Sequence, residues 1–505
     1  MIWKIAKKEF LLNLMTFKFA VGTIVCVVLT AVFAPILAKD YQQRLKDYND
    51  NVSANEAKLR EVKVYEVLTP TIYRPPALLS VFAEGLEKRI GNSAKIELKS
   101  IPELNAAPTE VNPYLSIFPA LDISLIFKVV ISLLALLVAY DVISGEREQG
   151  TLKLILSNTA ARHQVLLGKL IAGLLTLVVP ITLTFIVELL VLEFFPMVDL
   201  GWSDWARIAL TYIASIVFVS AIYNISLLFS CLAKRSAISL ILGLFSWVVF
   251  VVVVPNGSVY LARRTHLLAP KEKREGQIKA LTEKYKSERE EIRAKLPPGG
   301  WEYDADGPFG EWYVLLCTPS GAEHWQKLSA LMNPLEIKYA DKFWEVERTY
   351  LGDLFKQNYL AKSLSRISPV SLYGNVASTL AGTDLASLQY FTDNVRVHRN
   401  KVIDYIRAKT DNFSVLSYFT PSTQEAREQF EKYARAENWQ AIDELKQKTI
   451  DNTPSLDLQD FPRFAYRLDV VEGLRRAALD IALLIIANVI FFTLAFVAFI
   501  NYDVR

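Results

Sequence analysis

With only three cysteines and four histidines in 505 residues, the chain has little material for disulfide or metal chemistry. Cys26 and Cys231 fall inside or at the end of apolar runs, and Cys317 stands alone in a polar region. A disulfide framework is therefore excluded, and no metal-ligand spacing occurs. A Gly-x-x-x-x-Gly-Lys-Ser/Thr phosphate loop is absent too. Gly168-Lys169 has His163 where the upstream glycine would stand and Leu170 after it, so the chain does not bind ATP in that way. No Gly-x-Ser-x-Gly elbow suggests a serine hydrolase. The formal net charge of +3 is too small to argue for nucleic acid as the main partner.

What is present is apolar sequence in long runs. Hydrophobic residues make up 52% of the chain, and the mean hydropathy is positive. They concentrate in six runs long enough to cross a hydrocarbon core of roughly 30 Å as helices: residues 17–38, 119–140, 170–192, 208–232, 237–254 and 477–500. Residues 1–16 carry Trp3, Phe10 and Leu14 on one helical face and Lys4, Lys7 and Lys8 opposite, which suits an interfacial helix leading into the first span. The alternative, a cleaved signal peptide ending near Ala38, fits the long run less well. The expected fold is a mainly α polytopic membrane protein with six transmembrane helices, a small α/β domain and a larger, mostly helical extracytoplasmic domain.

Lysine and arginine in short loops orient the spans. Lys4, Lys7, Lys8 and Lys18 flank the first span. Arg147, Lys153, Arg162 and Lys169 occupy residues 141–169, and Lys234 and Arg235 fill the turn 233–236. The loop 193–207 is acidic and aromatic. Both termini, including the tail 501–505, are thus expected in the cytoplasm, with residues 39–118 and 255–476 outside.

In the first external segment, Val62, Val64 and Val67, then Ile96 and Leu98, alternate as short strands would. Between them, residues 71–91 read as a proline turn followed by an amphipathic helix. The second segment is helical by pattern. Ile278, Leu281, Tyr285 and Ile292 form a narrow stripe in a charged stretch, either pairing with another helix or merely solvated. Trp344, Leu351, Phe355 and Tyr359 share a face of a better-buried helix over 341–364. Leu388, Phe391, Val395, Val402 and Tyr405 make another stripe, and residues 424–449 a last helix with Phe430, Tyr433, Ile442 and Leu445. Residues 297–300 and Thr453-Pro454 punctuate the segment.

Few residues suggest chemistry. Residues 303–307 (Tyr-Asp-Ala-Asp-Gly) resemble the start of a calcium loop, but the downstream ligands do not follow that spacing and an Asp-Gly turn is favoured. His398 falls on the Leu388–Val402 stripe as a core or interface histidine, and His324 has no convincing acid nearby. No metal site and no catalytic constellation emerges, so the chain is expected not to be an enzyme. Ionisable residues within spans carry more information, because lipid makes them costly. Lys128 and Glu188 lie at similar depth in the outer parts of spans two and three. Either they pair and border a translocation path, or each snorkels or meets a wet cavity separately.

The sharpest signal is the polar break after span two, DVISGEREQGTLKLILSNTAARHQVLLGK. Its run Ser144-Gly145-Glu146-Arg147-Glu148-Gln149-Gly150-Thr151-Leu152, followed by Arg162 and Gly168-Lys169, resembles the ABC-type-2 membrane permeases. The tight turn between spans four and five and the ending Tyr502-Asp503-Val504-Arg505 are similar to family members as well. Arg74-Pro75-Pro76-Ala77-Leu78-Leu79-Ser80 and Leu364-Ser365-Arg366-Ile367-Ser368-Pro369 look like a bacterial branch with large external domains. The resemblance implies an inner-membrane homodimer or pseudo-dimer with a related permease, bound to two cytoplasmic ABC ATPase subunits. ATP and Mg would sit on the partner ATPase, and no cofactor on this chain.

In that frame Glu146, Arg147, Glu148, Gly150, Thr151 and Leu152 are the ATPase-coupling candidates. Polar residues would precede an apolar helical face, with Gly145 and Gly150 allowing bends; the alternative is a solvated loop with no partner. Four functions stay open. They are export, mechanical relay to external domains acting on a lipid, polysaccharide or envelope protein, a membrane enzyme with an external site, and a receptor or scaffold, which would leave the charged loop after span two unexplained. Membrane lipid is an obligatory neighbour in each.

Overall fold

The computed structural model describes residues 2–105, 122–157, 161–195, 200–268, 270–296, 314–317, 319–421 and 423–501. The sequence features at 297–300, 303–307 and 502–505 lie outside these residues, as do 119–121 of the second span.

Among the described residues, six helices are long and apolar enough to cross a membrane. Helix α1 (Ile2–Leu14) leads through Thr16, whose hydroxyl caps Phe19, into α2 (Phe17–Glu61). The first span does not stop where its apolar run ends. Its 45 residues continue as one helix, about 68 Å at 1.5 Å per residue. Strands β1 (Thr71–Tyr73) and β2 (Ser93–Lys95) then pair antiparallel. The second span comprises α3 (Ile123–Ile126), a π-helical turn over Phe127–Ile131 and α4 (Ser132–Ala139). Two short helices, α5 (Ser144–Glu148) and α6 (Thr151–Ser157), separate it from the third span, α7 (Arg162–Glu193). Helix α8 (Trp202–Leu232) is the fourth. The fifth joins α9 (Ser236–Val248), a second π-helical turn over Val249–Val253, and α10 (Val254–Thr265).

The distal part follows. Helix α11 (Lys271–Lys295) packs against α12 (Pro319–Ser365), which is preceded by strand β3 (Val314–Cys317). Then come α13 (Pro369–Ala381), α14 (Leu385–Lys409), β4 (Tyr418–Pro421, parallel to β3), α15 (Gln424–Arg435) and α16 (Trp439–Asn452). Helix α17 (Val470–Ile500) is the sixth span.

The spans pack through small and polar residues, as expected where lipid removes the hydrophobic drive between helices. Gly173 of α7 admits Tyr223 of α8 so closely that a Cβ there would sit 2.2 Å from the ring. Asn224 of α8 donates to Asn488 of α17 at 2.9 Å, and Asn488 donates to the Val217 carbonyl at 2.9 Å. Helix α1 lies along α7, with Ala6 buried and Ile5 against Gly168, while Trp3 is exposed. Its protein-packing face is thus separate from the apolar side at Trp3, which is left exposed as an interfacial helix requires. An aliphatic–alanine ridge fits against a glycine where a large aromatic would not.

Several local expectations change. Val62 ends α2, and Val64 and Val67 flank or lie in a short 3-10 turn (Tyr65–Val67), not a strand. Residues 71–91 hold no α-helix: β1 leads to a 3-10 turn (Leu78–Val81) and irregular turns. Leu79, Val81, Phe82 and Ala83 instead plug the bundle core, where Phe82 stacks on Phe185 at 5.6 Å. Helix α12 begins long before residue 341. The last predicted helix breaks in two at Glu437, whose φ is 49°. The charged stripe of α11 does meet a partner: Tyr285 packs on Tyr339 at 5.2 Å, and Glu288 accepts from Tyr339 at 2.8 Å and Lys338 at 3.0 Å.

Two features matter most for function. The connecting segments read as two domains share one core, in which Val62, Ile72, Ala94 and Ile96 pack with Phe391, Val395, Val402 and Ile406. Buried Arg399 ties it together, donating to the Glu97 and Leu98 carbonyls at 3.1 and 2.7 Å and pairing with Asp341 at 3.2 Å. Helix α13 does not belong to that body. It dips back among the spans, where Tyr373 stacks on Phe218 at 4.7 Å and hydrogen-bonds Ser215 at 3.0 Å. Gly382, at φ 74°, ends it in the left-handed conformation glycine tolerates. The Gly382 carbonyl accepts from Arg74 at 2.9 Å, and Arg74 also pairs with Glu87 at 2.9 Å.

Candidate functional site

The polar break after span two folds as two helical turns hinged at Gly150, whose φ is +74°. Gly145 is an ordinary helical residue inside α5, so only one of the two expected bends exists. The start of the break is tied to the fourth span. The Ser230 hydroxyl accepts from the backbone N–H groups of Ile143 and Ser144, each at 3.0 Å. Asp141 pairs with Lys18 near the start of α2, and the Lys18 ammonium lies 4.4 Å from the centre of the Tyr140 ring.

Glu146, Arg147 and Glu148, read as a charged docking surface, each bond to a different part of the bundle. Glu146 pairs with Lys169 of α7 at 2.7 Å, and Lys169 also meets Glu9 of α1 at 3.2 Å. The Lys169 side chain is only 2% exposed. A buried cation held between two carboxylates is expensive to unpair, about 3–5 kcal/mol for loss of a partner. Arg147 donates to the Ala233 carbonyl at 2.8 Å and the Cys231 carbonyl at 3.0 Å, capping the carboxyl end of α8 where a cation also suits the helix dipole. Glu148 accepts from the Ser236 N–H at 3.1 Å and hydroxyl at 2.9 Å, capping the amino end of α9. The Thr151 hydroxyl donates to the Glu146 carbonyl at 3.3 Å, and Leu152 is fully buried.

The outward face carries Glu148, Gln149, Gly150, Lys153 and Leu154, all exposed, Leu154 to 70%, while Glu146 and Arg147 turn inward. The inward bonds of Glu146 and Arg147 were not legible in the sequence, because short charged helices look solvated until their partners on other spans are known. Lys18, Glu9, Ser230 and Ser236 were invisible as members for the same reason.

Lys128 and Glu188 are not brought together. Lys128 lies against Gly374 of α13, at whose position a Cβ would be 3.1 Å from Lys128 Cε. Glu188 is fully buried on α7, and neither carboxylate oxygen meets a hydrogen-bond partner among the described residues. Another buried acid of the bundle is paired. Asp480 of α17, fully buried, accepts from Arg366 Nε at 2.7 Å, with Lys362 at 3.7 Å. A lone acid at the start of an apolar run was the available signal for Asp480. His398 is a core histidine packed on Phe464 at 5.4 Å.

Six membrane-length helices, with a polar loop laced to four of them at one end and a packed body on the other, define a multi-pass membrane protein. The model of the ABC-2 family transporter proteins matches residues 3–504, and the chain belongs to that family. It is a permease of an ABC transporter, and membership implies association with an ABC ATPase partner. No curated protein matches the chain at a significant level.

Proposed function

We propose that this permease is the non-catalytic subunit of a bacterial inner-membrane exporter, with residues 144–157 as its coupling segment. Two copies of a cytoplasmic ATPase, holding ATP and Mg, would drive a homodimer or pseudo-dimer of six-span subunits. Both termini would face the cytoplasm and the distal body the opposite side. The observation that carries the reading is the division of labour in the loop. Glu146, Arg147 and Glu148 grip α7, α8 and α9, while Gln149, Lys153 and Leu154 point away. A partner pushing on the outer face would move three spans together, provided its ATP-bound form prefers one arrangement.

The test is co-purification and coupled hydrolysis with the ATPase. Lys153→Glu with Leu154→Asp is expected to lose the partner, and Arg147→Ala to keep it but lose coupling. Normal assembly and normal coupling in both variants would refute the assignment.

A second reading, mechanical relay without transport, has its own support in α2. Lys18 links the loop to a helix that runs unbroken from the bundle to the distal body. Lys46→Pro would break α2 outside the bundle. Relay expects the external process to stop while transport assays have nothing to lose; export expects transport to persist.

A further inference from the structure

Two of the spans carry a π-helical turn, and both turns line the same groove. Such turns leave backbone carbonyls without their usual helical donors and recur at functional sites. Here neighbours supply donors. The Ser132 hydroxyl donates to the carbonyls of Lys128 at 2.5 Å and Val129 at 3.2 Å, and accepts from Trp247 Nε1 of the fifth span at 2.8 Å. The Ser368 hydroxyl, at the start of α13, donates to the Phe250 carbonyl at 2.6 Å in the second π turn. The distortions are thus stitched together and to α13, around a groove of about 530 Å³. It lies about 20 Å along the second span from Asp141, taking 1.5 Å per residue.

The groove has a charge and an apolar wall. Lys128 and Lys362 line it beside Leu125, Val129, Val251 and Val259. Its two acids are engaged elsewhere. Asp122 accepts from the N–H groups of Leu125 at 2.8 Å and Glu84 at 3.0 Å, and from Ser124. Asp384 caps α14 at Ser387 and accepts from Thr379. Lys128 has no ion-pair partner among the described residues, whereas Lys362, still lining the groove, pairs with Asp480 at 3.7 Å without a hydrogen bond. Gly374 matters because its missing side chain leaves room for the Lys128 stem to cross α13. Val252 and Val253, beside the groove on the fifth span, are exposed, so it borders a surface that lipid covers.

We propose that this groove binds an anionic phospholipid, its phosphate between Lys128 and Lys362 and the start of an acyl chain on the valine–leucine wall. A free anion would leave that wall unused, and a zwitterionic lipid offers no net charge to two cations. The site requires only the folded permease and does not depend on the direction or existence of transport.

The test uses the purified full chain in neutral detergent, titrated with phosphatidylglycerol or phosphatidylcholine carrying brominated acyl chains, which quench tryptophan; Trp247 lies beside the groove. Saturable quenching should favour phosphatidylglycerol by about tenfold, the effect of one charge-assisted contact of roughly 1.4 kcal/mol. Lys128→Gln should abolish the preference, and Gly374→Leu should reduce binding of both lipids. Melting temperature serves as the folding control, and Lys128→Gln alone decides the matter if Gly374→Leu does not fold. Equal affinity for the two lipids, or a preference surviving Lys128→Gln, would overturn the proposal. So would competition by inorganic phosphate, which would make the groove a free-anion site.

Discussion

Arg147 offers the most direct test of how the loop after span two is held. Its guanidinium makes two charge-assisted hydrogen bonds to the last carbonyls of α8, at 2.8 and 3.0 Å. Each is worth about 1.5–3 kcal/mol in a favourable setting. Arg147 is half-buried, so solvent screening reduces the pair to a combined 2–3 kcal/mol or so. Arg147→Ala should therefore lower the free energy of opening the loop away from α8 by about 2–3 kcal/mol, which is about 30- to 150-fold. The natural reporters are the Ile143 and Ser144 amides, held by Ser230, and the Ser236 amide, held by Glu148. Hydrogen exchange of peptides covering these amides, read in the purified permease, should accelerate by that factor if exchange follows local opening. Arg147→Lys, retaining charge but not the fork, should fall between. Unchanged exchange in Arg147→Ala would show that the loop is not clamped to α8.

Three other outcomes follow from the packing. Arg366→Ala removes the one hydrogen-bonded partner of the buried Asp480 carboxylate among the described residues, leaving Lys362 at 3.7 Å, and should cost about 3 kcal/mol; adding Asp480→Asn should recover much of the lost melting temperature, and no recovery would refute the pairing. Gly173→Ala drives a methyl into the Tyr223 ring and should cost about 1–3 kcal/mol, with Tyr223→Leu relieving it; an unchanged melting temperature would deny the close approach of α7 and α8. Burial, helped by Lys401, lowers the His398 pKa from its ordinary 6.5. The unfolded chain therefore takes up the proton first: this contribution to stability is intact above about pH 6.5 and shrinks as acidification approaches the lowered folded value. His398→Gln should narrow the melting-temperature difference between about pH 7.5 and about pH 5.5, and an unaltered difference would remove His398 from the pH response.

The elements legible in the sequence were those written in contiguous composition. Each of the six spans announces itself as a long apolar run, and the turn at 233–236 and the break at 141–169 show as polar interruptions between runs. Helix α13 could not be read this way. At 13 residues it is too short to span, and Ser371, Gly374, Asn375 and Ser378 form a polar stripe opposite its apolar face, so it resembles an amphipathic surface helix. Leu79 to Ala83 likewise looked like part of an amphipathic helix, because nothing local says that Phe82 will find Phe185.

The same division runs through the functional residues. The sequence by itself determined that the chain holds six runs long and apolar enough to cross a membrane, carries no phosphate loop, and places a Glu-Arg-Glu run in the break after the second of them. These follow from hydrophobicity and motif, which are properties of neighbours in the chain. Only the tertiary structure decided where those charges point. Glu146, Arg147 and Glu148 meet Lys169, Ala233 and Ser236, which come from other spans, and a side chain's direction is set by the partner that satisfies it. For that reason Glu146 and Arg147 belong to an internal clamp, while Glu148 caps α9 from the exposed side. Lys128, for which the sequence left open either a pair with Glu188 or a separate setting, lies against α13 at Gly374, a helix whose place inside the bundle comes from packing and not from pattern.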